Sequence, residues 1–251
     1  MSAFSADHPG AEARPSPNFG ERRGGAVPDM IVLHYTGMTT GQAAEDWLCN
    51  PASEVSSHYL VHEDGRIVQM VREADRAWHA GKSFWQGVTD INSCSVGIEI
   101  VNPGHGLGYV PFPKRQIDAV IALCAGIRDR HRIRPERVLA HSDVAPGRKI
   151  DPGEKFPWRR LFDAGIGHFV PASPIRRGPT LVEGDGGSAV EEAQAQLALY
   201  GYGIDITGNF DDRTRIVVEA FQRHFRPRKV DGVADGSTLR TLCRLVAAIG
   251  S

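Results

Sequence analysis

The sequence predicts an α/β fold, with a central mixed β-sheet flanked by helices, followed by a small three-helix domain. In the earlier part of the chain, short apolar runs rich in β-branched residues alternate with helical patterns. After Phe162 the composition changes to a stretch rich in glycine and proline, and then to three amphipathic helical patterns. The chain has 251 residues, which is enough for a medium domain and a small one.

Strand character is strongest in four segments. Residues 29–36 (DMIVLHYT) and 94–102 (CSVGIEIVN) are short apolar runs of the kind that form buried strands. Residues 56–71 contain two runs separated by an Asp-Gly pair, which predicts a β-hairpin. Residues 137–143 (RVLAHSD) form a further strand that opens into a loop of polar residues, glycine and proline.

Helical spacing is clearest in residues 113–131, where apolar residues recur at i, i+3, i+4 and i+7 behind an initial proline. The tail carries a short repeat, GNFDDRT at 208–214 and GVADGST at 232–238, which share Gly-x-x-Asp-x-x-Thr. In each copy the aspartate can cap the helix that follows, because its carboxylate accepts unpaired backbone N–H groups. The repeat therefore has a structural cause.

Composition excludes several classes of function. The formal net charge of −1 gives no general attraction for nucleic acid or an anionic membrane. No run approaches the roughly 20 apolar residues that span a bilayer, so no transmembrane segment is expected. The first 25 residues lack the apolar core of a Sec signal peptide, which predicts a cytoplasmic protein.

Two histidines stand apart from the other eight. Several others, among them His131, His168 and His224, have the character of surface or linker residues, whereas His34 and His141 each directly follow an apolar strand. Side chains at the carboxyl ends of strands converge on a shared crevice in an α/β sheet. With Asp151 on the same stiffened loop as His141, they form a set of three ligands with an open fourth position, the pattern of a catalytic zinc. A lone histidine here would more often be structural.

Two more residues suit hydrolysis at such a site. Glu99 is a carboxylate within an otherwise apolar strand, on the face it shares with Gly97, and it is placed to act as a base. Lys149 lies two residues before Asp151, so a metal on Asp151 would hold this cation near a developing oxyanion. The alternatives are an ion-paired glutamate and a solvated lysine.

These residues resemble a known family, the zinc-dependent N-acetylmuramoyl-L-alanine amidases of the AmpD/AmiD type. The segments VLHYT, SSHYLVHEDG, AWHAG, NSCSVGIEIVN, PKRQI and HSDVAPGRKIDPG are similar to its successive blocks, in family order. The resemblance implies one Zn²⁺ on His34, His141 and Asp151, with Glu99 and Lys149 as catalytic residues. It also implies that Trp78 and His79 contact the substrate, which would be peptidoglycan or an anhydro-muropeptide.

The tail resembles a peptidoglycan-binding module with three helices, through segments such as QLALYGYGIDITGNF and AFQRHF. The predicted organisation is a flexible arm (1–17), a zinc amidase domain (18–167), a linker (168–186) and this module (187–251). A wall-binding tail favours the periplasm or cell wall, in conflict with the missing signal peptide. The alternative function is a non-catalytic protein that binds peptidoglycan or muropeptides on an amidase fold.

Overall fold

A six-stranded mixed sheet lies at the centre of the computed structural model, which describes residues 4–250. Its strand order is β1-β5-β4-β7-β3-β8. The strands of the chain are β1 (Glu12–Ala13), β2 (Phe19–Gly20), β3 (Met30–Tyr35), β4 (Tyr59–Val61), β5 (Ile67–Gln69), β6 (Arg76–Ala77), β7 (Ser95–Ile100), β8 (Val138–Ala140), β9 (Thr180–Leu181) and β10 (Ala234–Asp235).

The sheet is mixed, as predicted. Strand β3 lies between β7 and β8 and is parallel to both, and β7 is also parallel to β4. Strands β4 and β5 form the antiparallel hairpin that the Asp-Gly pair indicated. Every strand inferred from the sequence is present, although each is shorter than the apolar run that predicted it.

Helices cover both faces of the sheet. They are α1 (Gly41–Leu48), α2 (Ile91–Cys94), α3 (Lys114–His131), α4 (His141–Val144), α5 (Trp158–Asp163), α6 (Ser188–Tyr200), α7 (Asp212–Phe225) and α8 (Gly236–Ala247). The apolar stripe of α3 packs against alternate residues of β3 and β7, in the same buried cluster as Ile31 and Leu33. Met30 and Val32 point to the opposite face, because successive strand residues alternate between faces.

The N-terminal segment differs from the predicted flexible arm. Glu12 and Ala13 pair in parallel with β5 at the edge of the sheet. The buried Ser16 hydroxyl donates to Leu48 O at 2.6 Å, which fixes the chain beside α1. The polar composition of this segment hid a short edge strand, since two residues give no alternation pattern to detect. The prediction for residues 1–3 lies outside the described residues.

Three helices, α6 to α8, form the C-terminal module, as the tail pattern predicted. Asp211 and Asp235 cap α7 and α8, and each carboxylate accepts the backbone N–H three residues later at 2.8 Å. The module does not have a core of its own. Its buried residues, including Phe221 and Leu242, belong to one cluster with Met30 and Trp85 of the sheet domain.

Among residues 4–250, none of the helices combines the length and the apolar character needed to cross a bilayer.

Candidate active site

The parallel register of three strands assembles the site. His34 is opposite Glu99 across the β3–β7 pair, and Leu33 is opposite Ala140 across the β3–β8 pair. Strand β8 ends at Ala140, so His141 begins α4 directly beside His34. The predicted convergence of groups at strand ends therefore occurs, on the sheet face away from α3.

Residues 141–151, here called the 141–151 loop, bring Asp151 back to His141. Gly147 and Gly153 turn the chain with φ of +81° and +83°, in the left-handed region that glycine adopts without strain. The backbone N–H of Ser142 donates to Asp151 O at 3.0 Å and ties the two ends of the loop together. Gly147 thus turns the chain inside the loop, and Gly153 turns it directly after the loop.

The side chains of His34, His141 and Asp151 form one tight cluster. His34 Nδ1 is 2.8 Å from His141 Nδ1 and 3.1 Å from Asp151 Oδ2, and His141 Nδ1 is 2.9 Å from the same oxygen. All three residues are buried. Two imidazole nitrogens and one carboxylate oxygen, each able to act as a metal ligand, thus lie close together.

The geometry fits a tetrahedral metal. Ligand atoms at about 2.0–2.1 Å from a zinc ion are about 3.3–3.4 Å apart in a tetrahedral site. The observed separations of 2.8 to 3.1 Å are only slightly shorter. The cluster is therefore compatible with a metal site of three protein ligands.

Hydrogen bonds behind the cluster fix both imidazoles. His34 Nε2 is 3.0 Å from His79 Nδ1, and His79 Nε2 is 3.1 Å from the Ser95 hydroxyl. His141 Nε2 is 3.1 Å from Ala80 O, which can only accept. With Nε2–H donors on His34 and His141, both Nδ1 atoms keep their lone pairs for a metal.

Electrostatics favour the ligand state of His34 and of Asp151. Burial, together with the neighbouring His141, lowers the pKa of His34 to about 4. Burial alone would raise the pKa of Asp151, but His141 and His34 outweigh it and hold that pKa well below the usual range. The site therefore presents a neutral His34 imidazole and an ionised Asp151 carboxylate at neutral pH.

Glu99 and Lys149 lie at the same cavity as the cluster. Burial raises the pKa of Glu99 well above its ordinary value, the Asp151 charge adds to this rise, and Lys149 opposes it. Glu99 Oε2 is buried and has no hydrogen-bond partner among residues 4–250. A buried carboxylate oxygen left free beside the cluster of His34, His141 and Asp151 is available to a substrate or to water.

The cavity has a volume of about 480 Å³ and runs along the cluster. Trp78 and His79, the two residues predicted to contact substrate, both line it. His79 has a further task, because its two ring nitrogens face His34 and Ser95. Its contact with a substrate stays a prediction, whereas its support of His34 is visible in the structure.

Sequence reasoning missed the residues that hold this support in place. Asn92 Oδ1 accepts the backbone N–H groups of His79 and Ala80 at 3.1 and 2.8 Å. Gly97 leaves the space that the His79 ring fills, since a Cβ there would lie 2.4 Å from His79 Cγ. A glycine inside an apolar strand is the signal that could have revealed this close approach.

Arg148 connects two segments of the chain. Its guanidinium donates to Ala80 O and, at 3.0 Å, to Lys82 O. It also lines the cavity, so the 141–151 loop is anchored to the segment that carries His79.

Comparison with known proteins decides the family. The N-acetylmuramoyl-L-alanine amidase family model matches residues 24–154. The amidase AmiD of Escherichia coli is 39% identical over 231 residues, which cover 83% of this chain and 79% of the relative. The chain belongs to the N-acetylmuramoyl-L-alanine amidase family. It is thus an enzyme of the class that its sequence predicted.

Solved structures agree with this assignment over nearly the whole chain. A complex of E. coli AmiD with the substrate anhydro-N-acetylmuramic acid-L-Ala-D-γ-Glu-L-Lys has a TM-score of 0.74 at 35% identity and covers 93% of this chain and 98% of AmiD. AmpDh3 from Pseudomonas aeruginosa has a TM-score of 0.75 at 30% identity, with 99% and 100% covered. A peptidoglycan binding domain model matches residues 186–242.

Proposed function

We propose that this amidase uses one Zn²⁺ held by His34, His141 and Asp151 to cleave the bond between N-acetylmuramic acid and L-alanine. The convergence of two imidazole nitrogens and one carboxylate oxygen within 3.1 Å of one another carries the proposal. The donor set supports zinc because it combines neutral nitrogen with carboxylate oxygen and leaves a fourth position open to the cavity.

When bound, zinc supplies a Lewis acid for the scissile carbonyl and lowers the pKa of water toward neutrality. Glu99 takes the proton of the attacking water through its free Oε2 and passes it to the leaving amine of L-alanine. Its raised pKa suits the transfer, because a more basic carboxylate takes the proton of water more readily and can then give it to the amine. Lys149 places a positive charge at the cavity, where the oxyanion forms.

The substrate class follows from the relatives and from the cavity. The solved structure of AmiD is a complex with an anhydro-muropeptide that carries a tripeptide, and one structure of AmpDh3 is a complex with an anhydromuramic pentapeptide. We infer that this enzyme accepts soluble anhydro-muropeptides, with Trp78 at the wall of the cavity against the sugar or peptide. The C-terminal module then adds affinity for polymeric peptidoglycan, as a wall-binding tail would.

Domain limits are part of the same proposal. We assign catalysis to residues 18–167 and wall binding to 187–251, with 168–186 as the connection. Family matches at 24–154 and 186–242 support these limits. A location at the cell wall in the periplasm suits a module for the polymer, and the cytoplasm is the competing assignment.

Product analysis tests the function. The purified protein is incubated with 1,6-anhydro-N-acetylmuramyl-tripeptide, and the products are separated by chromatography and identified by mass spectrometry. We expect free tripeptide and free anhydro-sugar, loss of both after chelation, and their return when zinc is added. Binding of the muropeptide without cleavage by the zinc-loaded protein would support the non-catalytic alternative.

A further inference from the structure

The C-terminal module reaches the 141–151 loop through one buried carboxylate, that of Asp143. His224 Nδ1 on α7 is 2.6 Å from Asp143 Oδ2, and the Tyr202 hydroxyl donates to Asp143 Oδ1 at 2.7 Å. Asp143 is fully buried, and His224, which the sequence suggested was a surface residue, is only 3% exposed. Both oxygens of a carboxylate in the 141–151 loop are therefore held by the module.

The same carboxylate fixes the start of α4. Asp143 Oδ2 accepts the backbone N–H of Ala140 at 2.8 Å, directly before His141. The His141 carbonyl in turn accepts Ala145 N–H at 3.0 Å. A movement of Asp143 therefore shifts the turn on which His141 is mounted, and its ring nitrogen moves relative to His34.

Packing adds a second connection between module and loop. A Cβ on Gly147 would lie 2.9 Å from Ile216 Cγ2 of α7, so helix and loop are in close contact. Arg213 of the same helix donates to Pro146 O at 3.3 Å. The His224 ring stacks on Trp158 of α5 with centroids 3.7 Å apart, which holds it in place toward Asp143.

We propose that Tyr202 and His224 are positioning residues of the active site, so that the C-terminal module shapes the metal-binding loop as well as contacting the wall. The inference rests on the proposed function, because it takes His141 and Asp151 as ligands. Without its two partners in the module, the buried Asp143 carboxylate would keep only the Ala140 N–H on Oδ2 and would have no partner on Oδ1, and the loop would open to let water reach it. His141 would then leave the position that the cluster requires.

The test compares metal affinity among full-length variants. Tyr202→Phe and His224→Phe each remove one bond to Asp143 and keep an aromatic ring. Tyr200→Phe and His168→Phe are matched controls, because the Tyr200 hydroxyl and His168 Nδ1 form a bond of 3.1 Å in the same region, which does not involve the 141–151 loop. Zinc affinity is measured by competition with a chelating dye, next to thermal unfolding and the kcat and KM for a soluble anhydro-muropeptide.

We expect roughly ten- to hundredfold weaker zinc affinity in Tyr202→Phe and His224→Phe, the usual effect of losing a group that orients a ligand. Their kcat at subsaturating zinc should fall while KM stays close to wild type. The two controls should lower the unfolding temperature to a similar degree and keep the wild-type zinc affinity. Tyr202→Phe keeps its ring in the core, so the proposal stays testable if His224→Phe does not fold.

Two results would overturn the positioning role. One is wild-type zinc affinity in both the Tyr202 and the His224 variants. The other is an equal loss of zinc affinity in the two controls, which would indicate a general loosening of the core. His141→Ala separates this failure from that of the proposed function. If His141→Ala loses zinc while Tyr202→Phe keeps it, the metal site stands and the positioning role is wrong. If His141→Ala keeps zinc, the metal site itself is wrong.

Discussion

Gly97→Ala is the substitution that probes the support of the proposed metal site most sharply. The added Cβ would lie 2.4 Å from His79 Cγ and 2.6 Å from His79 Nδ1, the atom that faces His34. Strand β7 is paired with β3 on one side and β4 on the other, so the backbone at Gly97 cannot retreat. The His79 ring must move, and its contact of 3.0 Å with His34 Nε2 is lost.

The expected magnitude has two parts. Overpacking by one methyl group in a fixed core costs about 1–3 kcal/mol of unfolding free energy. Loss of the group that orients a metal-ligating histidine weakens metal binding by roughly ten- to hundredfold. Activity at saturating zinc should recover to a large extent, because His34, His141 and Asp151 are all still present.

The assay is zinc titration of the metal-free protein, read by chelator competition and by release of tripeptide. Gly178→Ala is the matched control, since a Cβ there would meet no atom within 4 Å. It should leave zinc affinity unchanged. Gly97→Ala with wild-type zinc affinity would refute the idea that His79 holds His34 in the ligand orientation.

Three further substitutions test separate parts of the mechanism and the fold. Glu99→Gln should keep zinc but lower kcat by about 10²–10⁴, the usual contribution of a general base. In the wild type kcat/KM should fall as pH drops through the raised pKa of Glu99, because the base becomes protonated. Lys149→Met should keep zinc and lower kcat by about 10²–10³, by analogy with a lost oxyanion donor. Glu73→Gln should lower stability at neutral pH by about 2–3 kcal/mol, because it leaves the partly exposed Arg130 and His131 without their buried partner.

The pH dependence expected of Glu73→Gln follows from the direction in which the pKa of Glu73 is shifted. Burial would raise the pKa of Glu73, but hydrogen bonds from His131, Arg130 and Tyr59 hold it well below the ordinary value. A depressed folded-state pKa gives stability that is present above about pH 5 and is lost as the pH falls toward the folded value. The free energy of unfolding of the wild type, measured with denaturant, should therefore fall between pH 5 and more acidic conditions, and Glu73→Gln should show a flatter curve.

Each of these expectations has a contradicting result. Turnover by Glu99→Gln close to wild type would remove Glu99 from the proton transfer, and loss of zinc from that variant would make it a structural residue. Lys149→Met with unchanged kcat and raised KM would assign the lysine to binding alone. Equal acid sensitivity of Glu73→Gln and wild type would place the acid-labile groups elsewhere.

The local sequence pattern was sufficient to place the site residues that lie on strands or directly after them. His34 and His141 follow apolar runs, and Glu99 interrupts one, so the amino-acid pattern alone indicates that they lie together at the ends of neighbouring strands, while their chemical roles stay predictions. The return of Asp151 to His141 could be inferred because glycine and proline in the loop permit sharp turns. Lys149 could be placed only by its distance along the chain from Asp151.

Contacts between distant segments could not be predicted in this way. The role of His79 depends on three partners, Ser95, Asn92 and Gly97, which lie on other elements. The burial of His224 depends on Asp143, which is 81 residues away in sequence. The merging of the C-terminal module with the sheet domain into one core is likewise a result of tertiary packing, since each helix pattern alone shows only which face is apolar.

The most direct test of the central claim is a crystal structure of the zinc-loaded protein with anomalous scattering recorded at the zinc edge. We predict a single strong peak at about 2.0–2.2 Å from His34 Nδ1, His141 Nδ1 and Asp151 Oδ2, with Glu99 facing the open position. A peak bound by other residues, or the absence of any peak in protein that releases the tripeptide, would contradict the assignment of these three residues as the catalytic metal site.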